Sequence, residues 1–140
     1  MLPLLTTLSP NAAILIMTAG AVLIAIELNR PGSILPGALG LLLTLLAAAS
    51  LHAMHPSAVA ALETAACIGL MIFGERIRLP WQVVCLATVP LIAAIAVLVP
   101  RNPGPAISAW AAVLSGLILG TGTIVLTGIA RRARQNKGLD

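Results

Sequence analysis

The stretch Ile24–Gly40, I-A-I-E-L-N-R-P-G-S-I-L-P-G-A-L-G, joins two apolar runs across a short polar hinge. Each proline removes a backbone donor, and each glycine opens backbone angles that other residues avoid. Pro31-Gly32 and Pro36-Gly37 therefore read as two turns, with one helix ending near Leu28 and the next opening around Pro36. Glu27 precedes Arg30 by three positions, close enough to pair on a last helical turn. Gly40 follows inside the second run. What flanks the hinge decides the fold: both runs are apolar all round, with no polar face to meet water.

Outward from the hinge the pattern repeats. Apolar residues make up 59% of the 140 and charged residues only 9%, where a soluble domain carries about 25% charged. With a mean hydropathy of +1.07, so few charges cannot cover a soluble surface. The expectation is an all-α integral membrane bundle, a single domain over 1–140, with spans at 11–28, 36–53, 57–74, 80–99 and 105–130. A basic tail follows over 131–140. The first three runs, about 17–18 residues each, are near the lower limit for a hydrocarbon core of about 30 Å. Residues 1–10 lack a basic start and a small-residue cleavage pattern, so they do not read as a secretory signal.

Pro36, Gly37 and Gly40 weaken the start of the second run, which leaves a re-entrant path open beside a spanning one. Charge favours spanning. Five crossings put Arg30, Arg76, Arg78, Arg131, Arg132, Arg134 and Lys137 on one side and Arg101 alone on the other. That asymmetry expects the N-terminus outside and the C-terminus in the cytoplasm of a bacterial inner membrane. Trp81 and Trp110 fall near span ends, where interfacial aromatics sit. The net basic charge is thus a matter of orientation. With Phe73 and two tryptophans as its aromatics, the chain is not expected to bind nucleic acid.

Glu63 is the carboxylate expected well inside a span, and a charge there costs about 2.5–3.5 kcal/mol on insertion scales. It reads either as a proton or cation relay or as a hydrogen-bonded structural acid held between helices. On the opposite side of its helix, Ala61, Ala65 and Gly69 form a small-residue stripe free to pack on a neighbour. His52 and His55 flank the loop before it. Two histidines three apart can share a metal, but Pro56 ends any helix there and no third ligand is near, so no metal or cofactor is expected. They read as interfacial residues closing a loop, or as companions of Glu63 in a polar site. Ser50 and Ser57 lack a nucleophile context, the lone lysine is in the tail, and G-T-G at 120–122 lies in an apolar run. No enzyme is expected. Cys67 and Cys85 fall inside apolar runs and imply no disulfide framework.

Ser108, Ala112, Gly116 and Gly120 recur every four residues. Small residues at that spacing let helix backbones approach closely, within a five-helix bundle or between copies in a homo-oligomer.

The hinge and the basic exit of the last run resemble the membrane region of the NfeD family (nodulation formation efficiency D). The matching residues are Glu27-Leu28, Pro31-Gly32, Pro36-Gly37-Ala38-Leu39-Gly40 and Ala130-Arg131-Arg132-Ala133-Arg134. The resemblance covers 11–50 closely and 115–137 loosely. Family members usually continue into a cytoplasmic OB-fold, long members begin with a ClpP-like protease domain, and stomatin/prohibitin-type proteins are their suspected partners. Neither soluble domain is recognisable in these 140 residues. The resemblance implies a membrane-embedded assembly or scaffold partner; the contrasting expectation is a small permease or ion-conducting subunit using Glu63 with His52 and His55.

Overall fold

The computed structural model describes residues 8–29, 34–73, 80–100 and 105–136. Within them the chain forms five α-helices and no strand: α1 (Pro10–Asn29), α2 (Ile34–Ala53), α3 (Ala58–Phe73), α4 (Trp81–Ala96) and α5 (Ala109–Asn136). Three, namely α1, α2 and α5 up to Ala133, are long and apolar enough to cross a membrane. At 1.5 Å per residue, α3 and α4 measure about 24 Å each and α5 about 42 Å. The two short helices fall short of a core of about 30 Å, whereas α5 overshoots it.

Serine opens the odd-numbered helices. Ser9 Oγ accepts the N–H of Ala12 at 3.2 Å, and Ser57 Oγ accepts that of Ala60 at 3.5 Å. Such caps satisfy donors that the first turn leaves free. Before α5, the backbone N–H and hydroxyl of Ser108 both donate to Asn11 Oδ1, at 2.8 and 3.1 Å. The starts of α1 and α5 are therefore tied side by side, and these helices run parallel. The N–H of Ser57 donates to Leu98 O at 2.8 Å, bringing the start of α3 to the end of α4 at the same level. At the opposite end, the N–H of Gly37 donates to Glu27 Oε2 at 3.3 Å. The result is an up-and-down bundle in which α2 and α4 return against α1, α3 and α5.

Neighbours in space follow the order α2, α1, α5, α4, α3, with α3 also touching α5 and α1. α2 leans on α1 and makes no comparable contact with another helix. Ile14, Leu91 and Ile95, the bulkiest fully buried apolar residues, lie where α1 begins and α4 ends. The densest packing is thus at the Asn11–Ser108 end. Pro90 interrupts the backbone ladder of α4, and Thr88 Oγ1 just before it donates to Cys85 O at 2.6 Å.

The helix bounds correct several expectations. The second Pro-Gly pair is no turn: α2 begins at Ile34 and includes Pro36-Gly37 in its first turn, where the missing proline donor costs nothing. α4 stops at Ala96, ahead of the expected 99, with Val97 leaving helical geometry. α5 starts at Ala109 and not 105, because Ser108 holds the boundary, and it runs to Asn136. The basic stretch is accordingly helical from Arg131 to Asn136. Arg30, Pro31, Gly32, Arg76, Arg78, Arg101 and Lys137 lie outside the described residues.

Candidate functional site

The hinge residues that are described form a tight joint. Glu27, half-buried on the last turns of α1, reaches the Gly37 N–H in the first turn of α2. A carboxylate at a helix N-terminus meets both a free donor and the positive end of the helix dipole. A Cβ on Gly37 would sit 2.8 Å from Glu27 Cγ, so this glycine makes room for its own cap. One turn on, a Cβ on Gly40 would meet Gly20 O at 2.7 Å, and one on Gly20 would meet Gly40 O at 2.7 Å and also Thr44 Oγ1. Here α1 and α2 cross backbone on backbone. Sequence alone gives Gly20 no partner, although a lone glycine inside an apolar run is itself a sign of close approach.

The stripe on α5 turns inward. Ala112 is fully buried, Gly116 faces Ile92 and Gly120 faces Thr88, so the last two seat α5 on α4. Ser108 heads the stripe with its bonds to Asn11.

Glu63 goes the other way. It is exposed on α3, between Val59 at 77% and Leu62 at 73% exposure on one side and Ala66 and Leu70 on the other. The inward face of the same helix carries Ala60, Thr64 and Cys67. Glu63 thus stands on an outer apolar face and not between helices. Counting from Ala58, it lies about 8 Å down the helix. The opposing stripe of Ala61, Ala65 and Gly69 does not meet a helix: Ala61 and Ala65 line a cleft toward α2, and nothing lies within 4 Å of a Cβ built on Gly69.

His52 is exposed in the last turn of α2 and lines that cleft. His55 takes a left-handed φ of 51° and, with Pro56, stops the helix; its N–H donates to His52 O at 3.2 Å. Glu63 is not among the residues lining the cleft with His52, so the three are not assembled into one polar site. Among the described residues no three His, Cys, Asp or Glu side chains gather at metal-binding range, and Cys67 and Cys85 are free thiols. At the ends of the bundle, exposed Trp81 and Trp110 open the antiparallel helices α4 and α5 and so mark opposite levels. No protein-family model, no curated protein and no solved structure matches the chain.

Proposed function

We propose that the chain is a non-enzymatic assembly subunit of a bacterial inner membrane, docking a partner laterally through the Glu63 face of α3. The observation that carries this reading is an acidic side chain on an exposed apolar helix face, about 8 Å from the helix start, with no hydrogen-bond or ionic partner among the described residues of its own bundle. A carboxylate facing hydrocarbon is costly, and a neighbouring chain that offers a donor or a basic group removes that cost. The NfeD-like hinge makes a stomatin/prohibitin-type membrane protein the first partner to test. In this reading all five helices cross, the N-terminus is outside, and the arginine-bearing end of α5 emerges at the cytoplasmic surface.

The permease reading has less to stand on, because Glu63 and His52 look into different surroundings. Native electrophoresis of gently solubilised membranes separates the two. The expected result is a complex larger than the single chain, lost in Glu63→Leu and partly kept in Glu63→Gln, which retains hydrogen-bonding capacity. A complex indifferent to both variants, or an ion flux in proteoliposomes abolished by Glu63→Gln, would reject the assembly reading.

A further inference from the structure

A second surface lies toward the other end of the bundle from Glu63, where α1 and α5 pack side by side. Val22 and Ile26 of α1 and Ile118, Gly122, Val125 and Leu126 of α5 line an open groove of about 360 Å³. That is more than twice the roughly 150 Å³ of an apolar cavity able to hold benzene. Its one hydroxyl, on Thr121, already donates to Leu117 O at 2.6 Å, so the walls offer hydrocarbon and no free donor. Nothing lies within 4 Å of a Cβ built on Gly122, so the floor is open. The Asn11–Ser108 tie gives the depth: the same number of residues past it stand Asn29 on α1 and Leu126 on α5, both about 27 Å along. The groove therefore occupies the second half of a core of about 30 Å, where the acyl chains of one leaflet run.

Beyond that level α1 ends, while α5 continues from Leu126 to Asn136. Ile118, Val125 and Arg132 recur at two-turn intervals, so Arg132 carries the groove's stripe into the headgroup layer. Helical side chains lean toward the N-terminus, which brings exposed Arg132 back over the groove mouth. Arg131 falls about 100° round the helix from it, away from the groove. On the α1 wall, Asn29 follows Val22 and Ile26 along one face. It gives one amide hydrogen to Ala25 O at 2.8 Å and keeps another. Among the described residues no carboxylate pairs with Arg131 or Arg132, and Glu27, the described acid at this end, is turned to Gly37 on α2.

We infer that the groove holds an acyl chain of one anionic phospholipid, whose phosphate is bound by Arg132 and Asn29. The occupant is a lipid because exposed Ile118 and Val125 open the groove to the bilayer at acyl-chain depth, and the cation stands where that chain's headgroup would be. It is anionic because the mouth offers a guanidinium and an amide donor, with no described acid free to receive a choline or ethanolamine ammonium. The inference uses the membrane-embedded bundle alone and not the Glu63 contact.

The test uses the full chain in nanodiscs of dioleoyl phosphatidylcholine, doped in parallel with phosphatidylglycerol or phosphatidylcholine bearing the same diazirine-labelled acyl chain. Labelled residues are mapped by mass spectrometry. The phosphatidylglycerol probe should label 22–26 and 118–126 several-fold above the phosphatidylcholine probe, and above the exposed face of α2 around Leu42 and Leu45. Arg132→Gln should lower that labelling about five-fold, the worth of one arginine at an anionic surface, whereas Arg131→Gln should change it by less than about two-fold. Gly122→Leu, which fills the groove, should lower it while both arginines remain. The probe comparison needs no variant, so a variant that fails to fold does not spare the proposal. Equal labelling by the two probes would overturn it. So would equal losses in Arg131→Gln and Arg132→Gln, the mark of a diffuse basic surface, or an unlabelled groove, the mark of an occupant other than lipid. Displacement of the probe by free glycerophosphoglycerol at matched concentration would also overturn it, since the phosphate alone would then suffice.

Discussion

A glycine in these helices means different things at different positions. Gly20 and Gly40 sit where two backbones touch, and an added methyl on either would press on a carbonyl at 2.7 Å. Backbone cannot yield as a side-chain tip can, so Gly20→Ala should destabilise the chain by about 1–3 kcal/mol, the usual cost of overpacking. Gly122 and Gly128 have nothing within 4 Å of an added Cβ. There, alanine should stabilise by about 0.4–1 kcal/mol through lost freedom of the unfolded chain. Thermal unfolding in detergent should show the opposite signs. The Glu27 joint ranks similarly. Glu27→Leu removes the cap from Gly37 and should cost about 0.5–2 kcal/mol, with Glu27→Gln milder because an acceptor remains. Gly37→Val should exceed Glu27→Gln, since it displaces the capping side chain as well as losing its bond. Sequence alone marks Glu27 and the Pro-Gly pairs as special. It cannot tell which donor the carboxylate takes, because that depends on where α2 begins, and a two-residue shift in that start moves Gly37 from a turn into a helix.

At the scale of elements, the caps decide what the apolar runs leave open. Long apolar runs make the existence of five helices legible, since nothing else satisfies their backbones in hydrocarbon. Their ends are less so, and Ser108 shows why. Its bonds run to Asn11, which is 97 residues away in the chain. No local pattern reports a partner at that distance, although a serine ahead of an apolar run is a start signal. Asn11→Ala and Ser108→Ala should each destabilise the chain. Their double variant should cost clearly less than the two added, because they share one interaction. The α5 stripe was legible as a contact surface but not as to which partner it meets, since small residues every four positions serve a neighbouring helix and a second copy equally well. Exposed α3 is the mirror case: its sequence shows a buried-looking acid, and only the bundle geometry turns Glu63 outward.

For the whole molecule, crossing number and the direction of α3 are the claims at stake. A reporter active only outside the cytoplasm should be active when fused near His55 and silent when fused after Lys137; activity at the tail would mean an even number of crossings. The central claim, that this bundle meets its partner through α3, is tested most directly by a photoreactive amino acid placed in intact membranes. The sites are Leu62 and Ala66 on α3, with Leu42 and Leu45 on the exposed face of α2 for comparison. The account predicts protein adducts from Leu62 and Ala66 that disappear when Glu63→Leu is added, and lipid adducts alone from Leu42 and Leu45. Protein adducts from the α2 sites with none from α3, or α3 adducts that survive Glu63→Leu, would contradict it.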